Sequence, residues 1–190
     1  MANISIFGKG NMGQALKARY EEAGNTVTLI GHEADAVLGE IVILAVPYPA
    51  VDDILSKYAS ALNGKIVVDI TNPLDFNTFD SLVVPADSSA AAEIAKKVPG
   101  AKALKAFNTN FAASLTTKKV ADSVQTTVLV AGDDEEAKKT FTATLSGSGL
   151  NVIDAGSLKR ARELESFGFL QLVLAVQEKI SWTGGFGLYK

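Results

Sequence analysis

Three glycines near the start of the chain, Gly8, Gly10 and Gly13, have a spacing with a chemical use. The first glycine of a Gly-x-Gly-x-x-Gly turn permits a tight bend, and the second lets the backbone approach a pyrophosphate. The third allows the following helix to pack closely on the sheet, so that phosphates lie over the free N–H groups at its positive end. The spacing alone is a weak signal, and its meaning depends on the elements around it.

The patterns on both sides of these glycines are those that such a turn requires. A short apolar run at 3–7 precedes them, and residues 14–23 have a helical pattern. Residues 26–30, Thr-Val-Thr-Leu-Ile, are β-branched and apolar, as in a parallel strand. This order predicts a dinucleotide-binding unit rather than a glycine-rich turn of an ordinary α/β protein.

The residues after the second predicted strand bear on the choice of cofactor. A dinucleotide-binding unit usually has an acidic residue about 20 positions after the glycines, where it binds the ribose. Here the strand is followed by Gly31, His32 and Glu33, of which Glu33 is the candidate for that part. Lys9 and His32 are candidates for binding a 2′-phosphate, which Glu33 would repel; in the alternative interpretation both are solvated loop side chains. We predict NADP in preference to NAD.

The rest of the chain alternates between strand and helix patterns. This alternation predicts a doubly wound, mostly parallel α/β sheet, the NAD(P)-binding Rossmann fold. A turn or two of helix is expected at 34–40, and residues 75–87 are predicted to form a loop. The remaining predicted strands are 41–46, 66–70, 102–107, 126–131 and 150–154, and the remaining predicted helices are 50–62, 90–97 and 135–145.

Prolines and amide side chains follow three of these strands. Pro47 ends the strand at 41–46, the sequence Thr-Asn-Pro at 71–73 follows the next strand, and Asn108 follows a third. Ligands of open α/β sheets bind beyond the carboxyl ends of the strands. We therefore expect these residues to line a binding crevice.

Composition excludes several functional classes. The chain of 190 residues has 18 Lys and Arg against 21 Asp and Glu, a net charge of −3, which offers no basic surface for nucleic acid or an anionic membrane. The absence of cysteine and the single histidine argue against thiolate chemistry and a histidine-rich metal site. No run approaches the roughly 18 apolar residues of a membrane span, and the first residues do not resemble a signal peptide. We expect a cytoplasmic protein without a metal site.

The character of the chain changes after residue 155. We predict a dinucleotide-binding domain at 1–155 and a C-terminal segment at 156–190 that packs on it, with one long helix or two joined helices at 158–180. Apolar side chains lie on more than one face of this helix, which favours a homodimer. The glycine-aromatic tail at 181–189 offers a surface for a flat cofactor, or else supplies core or dimer contacts. The predicted buried stripe is Leu164, Phe167, Leu170, Val173, Leu174 and Gln177.

Five motifs together give the chain a resemblance to a known family. They are Gly-Lys-Gly-Asn-Met-Gly at 8–13, Ala-Val-Pro-Tyr at 45–48, Thr-Asn-Pro at 71–73, Lys-Ala-Phe-Asn-Thr at 105–109 and Asp-Ala-Gly at 154–156. Over nearly its whole length the chain resembles the NADP oxidoreductases typified by deazaflavin-dependent NADP reductase. The same nucleotide domain occurs in the six-transmembrane metalloreductases, and pyrroline-5-carboxylate reductase is more loosely similar.

The resemblance implies hydride transfer between NADP and a small-molecule acceptor, a flavin or deazaflavin. In that chemistry the cofactor reacts, while the protein supplies position and excludes water, so no catalytic side chain is implied. Together with the candidates for binding a 2′-phosphate, the predicted cofactor-binding residues are Gly8, Lys9, Gly10, Asn11, Met12, Gly13, Gly31, His32, Ala45, Val46, Pro47, Thr71, Asn72, Pro73, Phe107 and Asn108.

Departures from the family pattern leave alternatives open. The second strand of the family commonly ends in a Gly-Ser-Arg-like phosphate clamp, where this chain has Gly-His-Glu at 31–33, and Lys9 stands where the family often has threonine. The helix between the second and third strands is also shortened. An NADPH-dependent imine or carbonyl reductase would need Asn108, Thr109 or Tyr48 to polarise its substrate. A third possibility is a non-catalytic protein that senses NADP(H).

Overall fold

The computed structural model describes residues 1–32 and 35–189, and a seven-stranded sheet lies at its centre. The strands, in chain order, are β1 (Asn3–Phe7), β2 (Thr26–Ile30), β3 (Ile41–Leu44), β4 (Ile66–Asp69), β5 (Lys102–Lys105), β6 (Lys119–Val120), β7 (Val124–Gln125), β8 (Thr127–Gly132) and β9 (Asn151–Gly156). The helices are α1 (Asn11–Glu22), α2 (Val51–Tyr58), α3 (Ala90–Lys97), α4 (Ala112–Thr117), α5 (Glu135–Thr144) and α6 (Ala161–Val176).

The order of strands in the sheet is β2-β1-β3-β4-β5-β8-β9, and β6 pairs with β7 in a separate ribbon. The first five strands of that order are parallel, whereas β8 is antiparallel to β5 and β9 is parallel to β8. The chain leaves β1 for β2 on one side and later crosses to β3 on the other. This reversal leaves a crevice beyond the carboxyl ends of β1 and β3, where open α/β sheets bind ligands. The predicted doubly wound, mostly parallel sheet is confirmed.

Both faces of the sheet are covered, and the central strands are therefore almost continuously apolar. All residues of β3, Ile-Val-Ile-Leu, and of β4, Ile-Val-Val-Asp, are buried. Leu16 and Tyr20 of α1 and Phe141 of α5 belong to one core cluster, while Leu55 of α2 and Ile94 of α3 belong to a second. Each aliphatic side chain that is fully buried in this way stabilises the fold by roughly 1.5–3 kcal/mol.

The predicted turn of helix at 34–40 is absent from the part of it that is described, 35–40. A Cβ placed on Gly39 would lie 2.1 Å from the carbonyl oxygen of Asn3, so the segment runs directly against the start of β1. The N–H of Glu40 donates to that same oxygen at 2.8 Å. An extended path against the sheet therefore replaces the helix.

Two further helices have different ends from those predicted. Helix α1 begins at Asn11, three residues before the predicted start, because the last glycine of the turn is itself helical. Helix α2 spans Val51–Tyr58 instead of 50–62; a 3₁₀ turn at Tyr48–Ala50 precedes it, and residues 59–62 form turns. Pro47 and Pro49 have no backbone N–H, so two positions at the start of this helix cannot donate a hydrogen bond.

No element is predicted between β5 and β8, and the structure places α4 and the β6–β7 ribbon there. The hydroxyl of Thr126 donates to the carbonyl oxygen of Ser114 at 2.8 Å, and its N–H donates to that of Lys118 at 2.9 Å, so the chain enters β8 beside the end of α4. Helix α4 has only six residues, too few to show a helical period in the sequence. The sequence also does not predict that β8 runs antiparallel to β5, because a buried strand is apolar whichever way it runs.

The buried face of helix α6 differs from the predicted stripe. Phe167 is 36% exposed and Leu170 is 50% exposed, although both belong to that stripe. Leu164 of the predicted stripe is buried, and the other buried positions are Ala161, Glu165, Gly168, Gln171 and Ala175. The prediction is wrong because this helix buries a carboxyl and an amide group that have partners in the protein, and a count of apolar residues cannot find such a face. None of the helices in the described part of the chain is long and apolar enough to span a membrane.

Candidate active site

The glycine turn between β1 and α1 is closely packed at its two ends and open in its middle. Gly8 has a φ of +111°, and a Cβ on it would lie 2.1 Å from the carbonyl oxygen of Ala45. A Cβ on Gly13 would lie 2.2 Å from the carbonyl oxygen of Gly8. A Cβ on Gly10 would meet nothing within 4 Å. The backbone at Gly10 is therefore the part of the turn that a ligand can approach.

The N-terminus of α1 has no side-chain cap, in contrast to two other helices. Ser89 accepts a hydrogen bond from the N–H of Ala92 at the start of α3, and Asp134 accepts one from the N–H of Ala137 at the start of α5. Gly10, at the same position before α1, has no side chain to do this. The first N–H groups of α1 thus remain available for an anion, which the helix dipole favours.

A cavity of about 410 Å³, the glycine-loop cavity, lies between the turn and the ends of β2 and β3. Its lining includes charged side chains, those of Lys9, Lys57 and Asp53. The Lys9 side chain crosses Gly31, where an added Cβ would lie 3.3 Å from the Lys9 Nζ, so the absence of a side chain at position 31 gives Lys9 room. Lys57 forms an ion pair with Asp35 at 2.9 Å, and this carboxylate raises the pKa of Lys57. The lining residues are Phe7, Gly8, Lys9, Gly10, Ile30, Gly31, His32, Ala45, Val46, Pro47, Ala50, Asp53, Ile54, Lys57 and Tyr58.

A second cavity of about 400 Å³, the strand-end cavity, lies on the other side of the turn, beyond β4 and β5. Its lining, as far as the chain is described, has amide and apolar side chains and no ionisable one. The segment 8–12 passes between the two cavities, because Gly8 to Gly10 line the first and Asn11 and Met12 line the second. The lining residues are Asn11, Met12, Ile70, Asn72, Phe107, Asn108, Asn110, Phe111, Ala112, Ala113, Leu172 and Trp182.

A strained turn presents the amide groups of this second cavity. Phe107 has a φ of +60°, a conformation that costs a side-chain-bearing residue roughly 1–3 kcal/mol. Its fully buried ring packs edge-on against Tyr20 and Phe141, and this packing holds it there. The next residue, Asn108, exchanges two hydrogen bonds of 2.9 Å with Asn72 and donates another, of 2.7 Å, to the carbonyl oxygen of Leu164. The ends of β4 and β5 are thereby joined.

A buried cation holds the backbone below these amides. The Nζ of Lys105 lies 2.7 Å from a carboxylate oxygen of Asp69, 2.9 Å from one of Glu165 and 2.6 Å from the carbonyl oxygen of Thr71. Glu165 also accepts the N–H of Ala90, the first residue of α3, at 2.8 Å. Burial raises the pKa of Glu165 despite the neighbouring ammonium. The cluster fixes the carboxyl ends of β4 and β5 relative to α3 and α6.

Helix α6 packs against the Asn72–Asn108 pair at Gly168. A Cβ on Gly168 would lie 2.4 Å from the Oδ1 of Asn72 and 2.8 Å from the Nδ2 of Asn108. No other residue type permits this approach without moving the pair. Gly168 is not among the predicted site residues, because a glycine inside a helical pattern is a weak signal in the sequence.

The structure distributes the predicted cofactor-binding residues over both cavities. Those that line the glycine-loop cavity are Gly8, Lys9, Gly10, Gly31, His32, Ala45, Val46 and Pro47. Those that line the strand-end cavity are Asn11, Met12, Asn72, Phe107 and Asn108. Gly13, Thr71 and Pro73 line neither, and Glu33 lies outside the described residues.

Several lining residues are missed by the sequence analysis. Asn110 and Ala112 follow the predicted strand 102–107 closely, so their position after a strand end could have indicated them. Leu172 and Lys57 lie within helices and carry no local signal. Among the described residues, no group of three or more Asp, Glu or His side chains could hold a metal ion.

Comparison with known proteins identifies the family. A sequence profile described as NADP oxidoreductase coenzyme F420-dependent matches residues 28–73. The F420-dependent NADP reductase of Methanocaldococcus jannaschii is 30% identical over 190 residues, which cover 91% of this chain and 84% of that protein. The chain belongs to the coenzyme F420-dependent NADP oxidoreductase family. The predicted resemblance is confirmed, and so is the predicted enzyme class, an NADP-dependent oxidoreductase.

Other relatives of this F420-dependent family member show how its fold is shared. The metalloreductase STEAP3 of Rattus norvegicus is 27% identical over 180 residues, which cover 86% of this chain but 36% of that protein. A crystal structure of a putative F420-dependent NADP reductase from Arthrobacter sp. FB24 has a TM-score of 0.86 with 24% identity, and the match covers 100% of both chains. An imine reductase of Streptomyces aurantiacus has a TM-score of 0.59 with 18% identity, covering 90% of this chain and 61% of that one. These two structural matches show a common fold.

The glycine turn of this family member yields a matched pair of variants. Gly10→Ala should lower the free energy of unfolding by about 1 kcal/mol or less, the difference between glycine and alanine at a helix N-cap. Gly8→Ala should lower it by more than about 2 kcal/mol, because alanine resists a positive φ and its Cβ meets Ala45. Both should weaken NADP binding at least about tenfold. Urea unfolding and calorimetric titration measure the two effects, and Gly10→Ala with unchanged NADP affinity would contradict the role of the turn.

Proposed function

We propose that the protein transfers a hydride between NADP(H) and a flavin or deazaflavin acceptor. The observation that carries this proposal is the position of the glycine turn between two cavities of opposite character. One cavity has charged side chains in its lining, two lysines and one aspartate, and the other has amide and apolar side chains beyond the strand ends. A dinucleotide has the same division, since its phosphates are anionic and its nicotinamide ring carries a neutral amide.

The proposed nucleotide contacts follow from this division. The open backbone at Gly10 and the uncapped N-terminus of α1 suit the pyrophosphate. Lys9 and His32 suit a 2′-phosphate, and the backbone at 45–47 suits the ribose beside it. Asn108, which is paired with Asn72, suits the nicotinamide, because its Oδ1 has no hydrogen-bond partner among the described residues and can accept an N–H of the carboxamide. Gly13, Thr71 and Pro73 would act indirectly, through the position of the turn and of the β4 end.

The strand-end cavity suits a planar acceptor without calling on an acid or base of the protein. The reduced nicotinamide supplies the hydride when it is bound, and water can supply any proton that the acceptor needs. The protein holds the two rings in contact and limits access of water between them. The imine or carbonyl reductase alternative needs a polarising group. Of its three candidates, Asn108 lines this cavity, whereas Tyr48 and Thr109 do not line its described wall.

Turnover tests the proposed function directly. With NADPH in excess, the wild-type protein should reduce a 5-deazaflavin or a flavin, whereas cyclic imines and simple ketones should react at least about a hundredfold more slowly in kcat/KM. Absorbance at the nicotinamide band measures the rate. Faster reduction of an imine would favour the alternative, and micromolar NADPH binding without turnover of any acceptor would favour a sensing protein.

The choice between NADP and NAD is tested by Lys9→Ala and His32→Ala. Each should weaken NADP binding about tenfold and leave NAD binding within about twofold, because a charge-assisted contact to the 2′-phosphate is lost. Lys139→Ala is the matched control, since it removes one exposed positive charge on α5, away from the cavity. Calorimetric titration gives the affinities. An unchanged ratio of NADP to NAD affinity in both variants would contradict the proposed contacts of Lys9 and His32 with the 2′-phosphate.

We also propose that the segment 156–190 packs on the 1–155 domain as a dimer element, so that two copies of α6 meet. Leu170 and Val176 of α6 are apolar side chains that are 50% and 43% exposed. Exposed apolar side chains of this kind are stabilised by burial against another apolar surface. A cytoplasmic location stays a prediction from the sequence.

The dimer proposal predicts an effect of Leu170→Glu. Wild type should sediment at twice the chain mass of 19.9 kDa, and Leu170→Glu should dissociate at least about tenfold more readily, because it places a charge in an apolar contact. Val37→Glu, at a fully exposed valine in the 35–40 segment, is the control with the same change of charge. A monomeric wild type at micromolar concentration would refute the dimer.

A further inference from the structure

The outer wall of the strand-end cavity includes the single tryptophan of the chain. Trp182 lies in the C-terminal tail and is 53% exposed. Its ring contacts that of Phe111 at a centroid distance of 5.1 Å and an angle of 56°. Phe111 therefore supports the indole on one side, while about half of it remains open. A large aromatic ring in this position gains contact area when a flat ligand covers it.

Specific hydrogen bonds hold the tail that carries this tryptophan. The N–H of Ala121, beside the β6–β7 ribbon, donates to the carbonyl oxygen of Thr183 at 2.8 Å. The N–H of Phe186 donates to the Oε1 of Gln171 at 3.1 Å, and the Nε2 of Gln171 donates to the carbonyl oxygen of Thr109 at 3.2 Å. Gln171 is 2% exposed, so a buried amide of α6 joins the tail to the segment after β5. The tail is thus fixed at Thr183, the residue next to Trp182, and again at Phe186.

The tail takes a path that depends on glycine. Gly185 has a φ of +122°, and a Cβ on it would lie 2.8 Å from the Oε1 of Gln171. A Cβ on Gly187 would lie 3.2 Å from the side chain of Val124 in β7. The close approach at both positions keeps the tail against α6 and the ribbon. The wall at Trp182 is therefore built by tertiary contacts rather than by a helix or strand.

We propose that Trp182 is the stacking surface for the hydride acceptor and restricts acceptors to planar polycyclic heterocycles. This inference rests on the proposed function and adds the residue that selects the acceptor. The same cavity is lined by Ile70 and Phe107 at the strand ends and by Met12 at the start of α1. A ligand that contacts both these residues and the indole gains most contact area when it is flat, apolar on its faces and larger than one ring. A small imine beside the strand ends leaves the indole uncovered and gains no contact from it.

Steady-state kinetics of Trp182→Leu and Trp182→Phe test the assignment. Trp182→Leu should raise the KM for a flavin or 5-deazaflavin on the order of tenfold, because the stacking contact is lost, while the KM for NADPH stays within about twofold. Trp182→Phe keeps an aromatic face and should restore most of the acceptor KM. Tyr189→Leu is the control, since Tyr189 is an exposed aromatic residue of the same tail that does not line the cavity.

Fluorescence gives a second readout that does not depend on turnover. Because Trp182 is the single tryptophan, its emission reports on this wall alone. Riboflavin or 5-deazariboflavin should quench it in the wild type with a saturable dependence on concentration, and equally in Tyr189→Leu. NADP alone should change it much less. The absence of saturable quenching would overturn the assignment.

The outcomes separate this inference from the proposed function. If Trp182→Leu leaves the acceptor KM unchanged while wild type reduces flavins or deazaflavins, the function stands and the Trp182 assignment fails. The assignment also fails if Trp182→Leu changes the oligomeric state but not the acceptor KM, since Trp182 is then a dimer contact. If wild type reduces no acceptor, the proposed function fails, and saturable quenching by the ring compounds still decides whether Trp182 binds them.

Discussion

The ammonium group of Lys105 is the constraint on which the site depends. It is fully buried and lies within hydrogen-bond distance of Asp69 and Thr71 at the end of β4 and of Glu165 in α6. Removing one partner from such a cluster costs about 3–5 kcal/mol, because the remaining charge stays buried. The ends of β4 and β5, the start of α3 and the middle of α6 are therefore held in one arrangement, and the strand-end cavity lies directly beyond them.

Above this cluster, small residues allow the elements to come close and amides set the chemistry. Gly168 lets α6 reach the Asn72–Asn108 pair, and the strained turn at Phe107 directs Asn108 toward it. On the other side of the glycine turn, Gly31 gives Lys9 space to cross the end of β2. An uncharged cavity and a cavity with charged side chains in its lining thus lie on either side of one helix N-terminus. This arrangement supports the binding of a molecule that is anionic at one end and a neutral ring at the other.

The sequence was most informative where one local pattern has one structural meaning. Strand β2 has the predicted ends, and so does helix α3, whose N-cap Ser89 is next to a run of good helix formers. The glycine spacing predicted the turn, and most of the predicted site residues line one of the two cavities. The short α4 and the β6–β7 ribbon have no comparable signal, because six residues or fewer cannot display a period.

By itself, the sequence determined the doubly wound sheet, the glycine turn and the family, since these depend on periodicity and on motifs that are continuous along the chain. Tertiary structure alone decided the antiparallel direction of β8, because buried strands are apolar whichever way they run. It also decided which face of α6 is buried: Glu165 and Gln171 are inside because Lys105, Ala90 and Thr109 supply their partners from distant positions. The acceptor wall at Trp182 has the same origin, since hydrogen bonds to Ala121 and Gln171 place the tail there.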